Sequence, residues 1–346
     1  MKKIALVTAI STLFSAYALA GENFMDKVLN FYSVTTNGLL NFEAKKIEDG
    51  YKLRLSPKIK EYKELLNPNY PITVTVDEGP LVTKPHFTFA KAGLLSNIEL
   101  FKLFNKRIQE ELNKNIKKSP LLHYEAIVSF SGILTEDFLL DPIIVEDKEM
   151  RFTLSALKAK SRVDLNKYTG ALDITTKSLK IESKKEDGNI EFKSIKVHNE
   201  ITQTPVNNIV LFGKSSFAIE NVKVAAKSPQ PISLDFSFDM KSEIKKVNEK
   251  FLDFMVETKT KTNDVNTIAL SKGIKESDTK LIFKNLGTKG VLELIAFNQK
   301  IEETQNKLLQ SANDPAQKEK ALAEYINQMA MLNKKITEIL IRKKKE

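Results

Sequence analysis

Few side chains in this chain have both the type and the spacing for chemistry. The three histidines, His86, His123 and His198, each stand alone among strand-forming residues. An isolated histidine at a strand edge serves as a surface or half-buried polar group more often than as a base or a metal ligand. Two carboxylate pairs, Asp77-Glu78 and Glu136-Asp137, are adjacent in the chain. Neighbours in an extended segment point to opposite sides, so neither pair has the facing geometry of a glycosidase dyad, and solvated turns are the simpler expectation. Ser129 and Ser131 have no base near them in sequence. No HExxH, GxSxG, GxxxxGK[ST] or GxGxxG occurs, which leaves the common metalloprotease, hydrolase and nucleotide signatures without a match. Zero cysteine removes disulfides, thiol catalysis and cysteine-ligated metal together. The expectation is a protein that is not an enzyme and takes no cofactor and no metal.

What remains is apolar bulk. The chain holds 20 phenylalanines and no tryptophan. Phe130, Phe152, Phe192, Phe212, Phe217, Phe236 and Phe238 fall in or beside alternating segments. Plain core packing beneath helices is the first expectation for them. The sharper one is a curled sheet whose concave apolar face, carried by Phe130, Phe152, Phe192, Phe217, Phe236 and Phe238, is partly open to acyl chains or an apolar partner segment.

These side chains are positioned by the stretch from about Arg151 to Asp239. Val163 and Leu165, Leu172 and Ile174, Leu179 and Ile181, Ile190 and Phe192, Ile195 and Val197, Phe217 and Ile219, Val222 and Val224, and Ile232 to Phe238 all alternate with polar neighbours. Period-two alternation gives strands with one apolar and one wet face. Strands this short and this tightly joined pair with their neighbours as an antiparallel meander.

Elsewhere the pattern is more mixed. Phe24 to Tyr32 suits a short helix, Gly38 opens a strand-like run, and Tyr51 to Leu55 alternate. A short polar helix fits Lys58 to Leu66. Ile72 to Val76 reads as a strand ended by the turn Asp77-Glu78-Gly79-Pro80, and His86 to Phe89 begins the next. Ser96 to Glu99 resembles a capping box, but 96–101 also passes as a strand; a helix is expected over about 102–117. Tyr124 to Phe130 is a strand running into Ser131-Gly132. Val247 to Lys259 fits helix or buried strand, and Ile268 to Leu270 and Leu281 to Phe283 look like closing strands. After Val291 the period becomes helical. Asp314, Pro315 and Gln317 supply an N-cap, a first-turn proline and a capping-box partner. Leu322, Tyr325, Ile326, Met329, Leu332, Ile336, Ile339 and Leu340 share one stripe. This predicts a helical hairpin that buries one face on the sheet.

At 42% apolar and 28% charged, the 346 residues have an ordinary globular composition. The net charge is +10, but arginine appears only at 54, 107, 151, 162 and 342, with no cluster of arginines and exposed aromatics. No nucleic acid is therefore expected. The lysines occupy polar alternates of strands, where they keep edges soluble, and leave a weak attraction to an anionic membrane surface. Met1-Lys2-Lys3, the apolar run from Ile4 and Ala18-Leu19-Ala20 before Gly21 make an export signal. It is either cleaved, or kept as an inner-membrane anchor facing the periplasm.

The export segment, the strand Ile72 to Val76 running into Asp77, Glu78, Gly79 and Pro80, the strand end Val128-Ser129-Phe130-Ser131-Gly132, and the repeated pattern from Ala171 to Val224 together resemble the YdgA-like family of Gram-negative envelope proteins. The resemblance implies an envelope location, often with an inner-membrane anchor, a domain of no assigned biochemical function, and no catalytic residues. Family members usually continue into further strands after the helical segment; a chain ending at Glu346 would be a trimmed member.

The fold class expected is α+β, mainly β: a large curled antiparallel sheet, a meander, with a C-terminal antiparallel helical hairpin packed on it. Residues 1–20 are the signal peptide or anchor, 21–288 the sheet domain with its short helix near 102–117, and 289–346 the hairpin. The function expected is non-enzymatic: a periplasmic envelope protein holding a lipid or an envelope protein on its sheet, or else an anchored scaffold with no ligand.

Overall fold

A computed structural model describes residues 40–57, 65–116, 119–185, 188–206, 210–226, 232–248, 250–263, 273, 275–291, 304, 322–332 and 334. The export segment, the helix expected at 24–32, most of the one at 58–66 and the strand at 268–270 lie outside the described residues.

The described strands are β1 (Leu40–Ile47), β2 (Gly50–Pro57), β3 (Ile72–Glu78), β4 (Leu81–Val82), β5 (Thr88–Phe89), β6 (Ala92–Glu99), β7 (Leu121–Val128), β8 (Ile133–Leu140), β9 (Ile143–Glu146), β10 (Met150–Leu154), β11 (Leu157–Asp164), β12 (Thr169–Ser183), β13 (Gly188–Val206), β14 (Val210–Ala226), β15 (Ile232–Lys246), β16 (Phe251–Thr262) and β17 (Glu276–Gly287). Fifteen form one sheet, in the order β1-β2-β3-β6-β7-β8-β11-β12-β13-β14-β15-β16-β17, with β10 beside β12 and β9 beside β10. The sheet is open, and β4 and β5 pair separately. Neighbours on this path follow one another in sequence except where β3 meets β6 and β8 meets β11, so the meander holds.

The middle of the chain departs from the expected short strands. Ile190 to Val197 lie in one strand of 19 residues, β13, flanked by β12 of 15 and β14 of 17. The apparent break is a change of phase. Apolar residues stand at Leu172, Ile174, then Leu179, Ile181 in β12; at Ile190, Phe192, then Ile195, Val197 in β13; and at Phe217, Ile219, then Val222, Val224 in β14. Each jump spans an odd number of residues, which would put the two halves of a regular strand on opposite faces. Register aligns the jumps: Thr176 faces Ile195 and Ser178 faces Lys193, while Lys193 faces Asn221 and Ile195 faces Ile219. The same level separates β10 from β11, which share β12 as partner, with Leu154 opposite Leu179 and Leu157 opposite Thr176.

At this level Ser194 takes φ +51°, a left-handed backbone that interrupts the pleat. Both halves then face one side. Leu154 and Leu157 belong to a single buried cluster, against which Phe152, Leu172, Ile174 and Leu179 pack; Ile219 and Val222 are both buried. Hydroxyls occupy the line itself. The Ser155 and Ser178 hydroxyls are 2.7 Å apart, Thr176 Oγ1 donates to the Ser155 carbonyl at 3.2 Å, and Ser155 N–H donates to the Ser178 carbonyl at 2.9 Å. Lys196 and the Ser194 hydroxyl hold Glu220 below the ordinary carboxylate range.

The densest core lies earlier than the alternating stretch suggests. It is built from Tyr51, Leu53, Ile72, Val74, Leu94, Ile98, Leu122, Tyr124, Leu134, Phe138, Leu140 and others up to Leu165. Strict alternation in β7, β8 and β11 sends every second residue inward, and each large aliphatic side chain so buried contributes about 1.5–3 kcal/mol. Outward residues such as Lys160 and Asp137 pair across strands at 2.8 Å.

The helix expected over 102–117 is split. A 3₁₀ turn, Leu100–Leu103, precedes α1 (Lys106–Asn115). Between them Phe104 is extended and bridges to Leu66, and Asn105 N–H donates to the Leu65 carbonyl at 2.9 Å. A continuous helix would use those groups internally. Asn105 caps α1, accepting from Ile108 N–H at 2.9 Å. Ser96 caps nothing; it is buried in β6 and donates to the Thr73 carbonyl at 2.7 Å. Of the segment expected as helix or buried strand, Phe251 to Lys259 is strand, in β16.

Residues 288–291, 304, 322–332 and 334 are helical. The turn of the expected hairpin and the pairing of its arms lie outside the described residues. Among the described residues of the stripe, Tyr325, Met329 and Leu332 are half-buried while Leu322 and Ile326 are exposed.

The chain forms two compact units, Met1–Ser242 with Val256–Lys280, and Glu243–Met255 with Leu281–Glu346. Within the second, Leu252 is buried, the rings of Phe254 and Phe283 stack at 6.2 Å, and Asn285 N–H donates to Asp253 Oδ1 at 2.7 Å.

Ser194→Gly should leave the chemical denaturation midpoint nearly unchanged, because glycine accepts the left-handed backbone. Ser194→Val should lower stability by about 1–2 kcal/mol through backbone strain.

Candidate functional site

Two of the sequence motifs meet at one cluster of loops. β3 ends in Asp77-Glu78 and passes through Gly79-Pro80 into β4. Gly79 N–H donates to the Lys91 carbonyl at 2.8 Å, and Ala90 N–H to the Pro80 carbonyl at 3.1 Å. A Cβ on Gly79 would stand 1.8 Å from the Ala90 carbonyl oxygen, so only glycine fits there. Asp77 Oδ2 accepts from Thr83 N–H at 2.6 Å, Thr83 Oγ1 at 2.7 Å and Lys84 N–H at 2.9 Å. The Thr83 hydroxyl and then these two N–H groups hold the Asp77 carboxyl below its ordinary range. Val82 is fully buried and fixes β4 from beneath.

Lys91 joins this loop to the second motif, donating its N–H to the Val128 carbonyl at 2.9 Å. The turn after β7 is closed by Ile133 N–H to Ser129 Oγ at 2.9 Å and by Gly132 N–H to the Ser129 carbonyl at 3.1 Å. The Ser129 and Ser131 hydroxyls lie 2.8 Å apart. From the β11–β12 turn, Asn166 Nδ2 donates to the Ser131 carbonyl at 3.1 Å, and Leu165 N–H to the Gly132 carbonyl at 3.0 Å. Asp77, Gly79, Pro80, Ser131 and Gly132 thus act on the backbone, bracing three connections at one end of the sheet, while Glu78 is exposed at the end of β3.

What they brace is apolar and exposed. Phe87 and Phe89 are each 73% exposed, Phe130 58% and Leu81 51%. Leu81 and Phe89 are cross-strand partners, and the rings of Phe89 and Phe130 meet at 5.3 Å, tilted 47°. This corrects the place expected for Phe130, which belongs to the β7–β8 turn and not to the face of the sheet. The signal was present in the sequence: Phe87, Phe89 and Phe130 stand among glycine, proline and serine, where turns are ordinarily polar.

The other phenylalanines of the expected face divide by burial. Phe212 is fully buried. Phe192, Phe217, Phe236 and Phe238 lie on the long strands and Phe152 on the short β10 beside β12, and all five stay half-buried. Phe217 and Phe238 approach to 6.0 Å at 58°. Register places Phe192 between Leu179 and Val222, and Phe217 beside Val197.

Glu136, His123 and His198 are held by hydrogen bonds within the fold, while His86 is exposed. Glu136 is no solvated turn residue: it sits in β8, 2% exposed, accepting from Tyr124 OH at 3.1 Å and from Ser161 Oγ. Its neighbour Asp137 points outward, as alternation requires. Burial, and then the Glu136 charge, push the Tyr124 phenol well above its usual range. His123 Nδ1 lies 2.7 Å from Asn97 Oδ1, and His198 Nδ1 lies 2.7 Å from Asp173 Oδ1. Among the described residues no group of His, Asp or Glu is arranged to hold a metal ion, and no helix is long and apolar enough to cross a membrane.

A family model described as a bacterial protein of unknown function, DUF945, matches residues 53–341. No curated protein and no solved structure matches.

Removing one member of the buried trio leaves hydroxyls without their acceptor, so Glu136→Ala should lower stability by about 2–4 kcal/mol in denaturant titration. Asp77 is bound in its ionised form. Its contribution is therefore present above the ordinary carboxylate range and is lost as pH falls through its depressed folded value. Asp77→Ala should speed proteolysis within 80–91 at neutral pH, and wild type should approach that rate only in strong acid.

Proposed function

The chain belongs to the DUF945 family of bacterial proteins of unknown function, and we propose that it works by binding rather than by bond-making, as a periplasmic protein of the cell envelope. Its ligand is a lipid acyl chain or an apolar segment of an envelope protein, held on the long strands. The observation that carries this is the half-burial of Phe152, Phe192, Phe217, Phe236 and Phe238 beside a core that is otherwise closed. Aromatic side chains left partly uncovered on neighbouring strands offer ready contact area to an apolar ligand. The commitment of Asp77, Glu136, His123 and His198 to structural hydrogen bonds argues in the same direction. The periplasmic location rests on the export signal and on the likeness to YdgA-like envelope proteins.

Native mass spectrometry of protein purified from an exporting cell, followed by organic extraction, tests this. Co-purified acyl species should appear with wild type and fall at least about tenfold in Phe217→Ser/Phe238→Ser, since each buried ring contributes on the order of 2 kcal/mol. A clean apo mass in wild type would instead favour the second reading, a scaffold anchored in the inner membrane with no ligand.

A further inference from the structure

We propose that the loop cluster formed by Leu81, Phe87, Phe89 and Phe130 inserts into the interface of an anionic lipid bilayer, docking the β3–β6 and β7–β8 end of the sheet on the membrane. The inference rests on the envelope location above, but on none of the residues that carry the sheet ligand.

Exposing large apolar side chains on loops is unfavourable unless something covers them. Here the exposure is enforced. Asp77 ties Thr83 and Lys84, Gly79 is held against Ala90 and Lys91, and Val82 anchors β4. Those bonds keep the loop from folding its rings inward. At 73% exposure, Phe87 and Phe89 project from the protein and do not line a groove. A bilayer interface accepts such projections without a matching pocket, as it accepts the apolar side chains of amphipathic anchors.

The overall charge of the chain favours the anionic surface. Lys84 and Lys91 are exposed on the segment that carries Phe87 and Phe89. The acids of the cluster are Asp77, Glu78 and Asp164. Asp77 keeps its charge while accepting from Thr83 and Lys84, and Asp164 and Lys167, 3.6 Å apart, offset one another. Glu78 is exposed. With a net charge of +10 on the whole chain, the approach to an acidic membrane is attractive.

The absence of tryptophan makes the test specific, because any tryptophan introduced is a unique reporter. Full-length Phe130→Trp and, as off-site reporters, Leu139→Trp at the opposite end of β8 and Ile144→Trp on β9 are mixed with vesicles of phosphatidylglycerol and phosphatidylethanolamine carrying brominated acyl chains. The Phe130→Trp emission should shift to the blue and be quenched, while both off-site reporters stay unchanged. Adding Leu81→Ser, Phe87→Ser and Phe89→Ser should raise the lipid concentration for half-quenching at least about tenfold. Lys84→Glu/Lys91→Glu should weaken quenching severalfold at low salt and little at high salt. The proposal is overturned if Phe130→Trp stays unshifted on vesicles that sediment with the chain, if all reporters are quenched alike, or if no binding occurs. An apo mass in the spectrometric experiment with Phe130→Trp still quenched would remove the sheet ligand and leave the docking surface standing.

Discussion

The fold depends on one geometric constraint, that a long strand can keep its apolar side chains on one face only if every neighbour changes phase at the same level. In β12, β13 and β14 the alternation jumps by an odd number of residues, and register brings all the jumps into line. The left-handed backbone at Ser194 and the gap between β10 and β11 absorb the mismatch, and serine and threonine hydroxyls satisfy the interrupted ladder. Without this coincidence, half of each strand would turn its leucines and phenylalanines outward. With it, strands of 15 to 19 residues stay amphipathic along their length.

A closed core and a partly covered sheet then follow as different solutions to the same alternation. From Tyr51 to Leu165 the inward residues reach near-complete burial, and this part even encloses a carboxylate, Glu136, between two hydroxyls. Farther along, the same period leaves phenylalanines half-covered. The closed core and the partly covered sheet are thus distinct stretches of one chain, which suits the binding of apolar material proposed above.

The loops repeat this division on a smaller scale. Asp77, Gly79, Ser129 and Gly132 look in sequence like ordinary turn formers, and their bonding shows that they are so. Their consequence is at a distance: they set Phe89 against Phe130 and keep both in water. Asp77 of the carboxylate pair and the serine pair are both bonded within these turns. Each fixes backbone on which apolar side chains are displayed.

Sequence alone determined the class of this protein. Period-two alternation is a local property, so the strands from Ile72 to Val76, Tyr124 to Val128 and Leu172 to Phe238 were legible, as was their consecutive antiparallel pairing, since short connections permit little else. Glycine and proline marked the turns for the same local reason. Tertiary structure alone decided what depends on partners far apart in the chain. The split at Phe104 arises because Leu66, distant in sequence, competes for its backbone. The burial of Glu136 follows from Tyr124 and Ser161 on the two flanking strands, and Phe130 is placed by a contact with Phe89. Periodicity reports which residues share a face, but which faces are covered is fixed only when the strands are laid side by side.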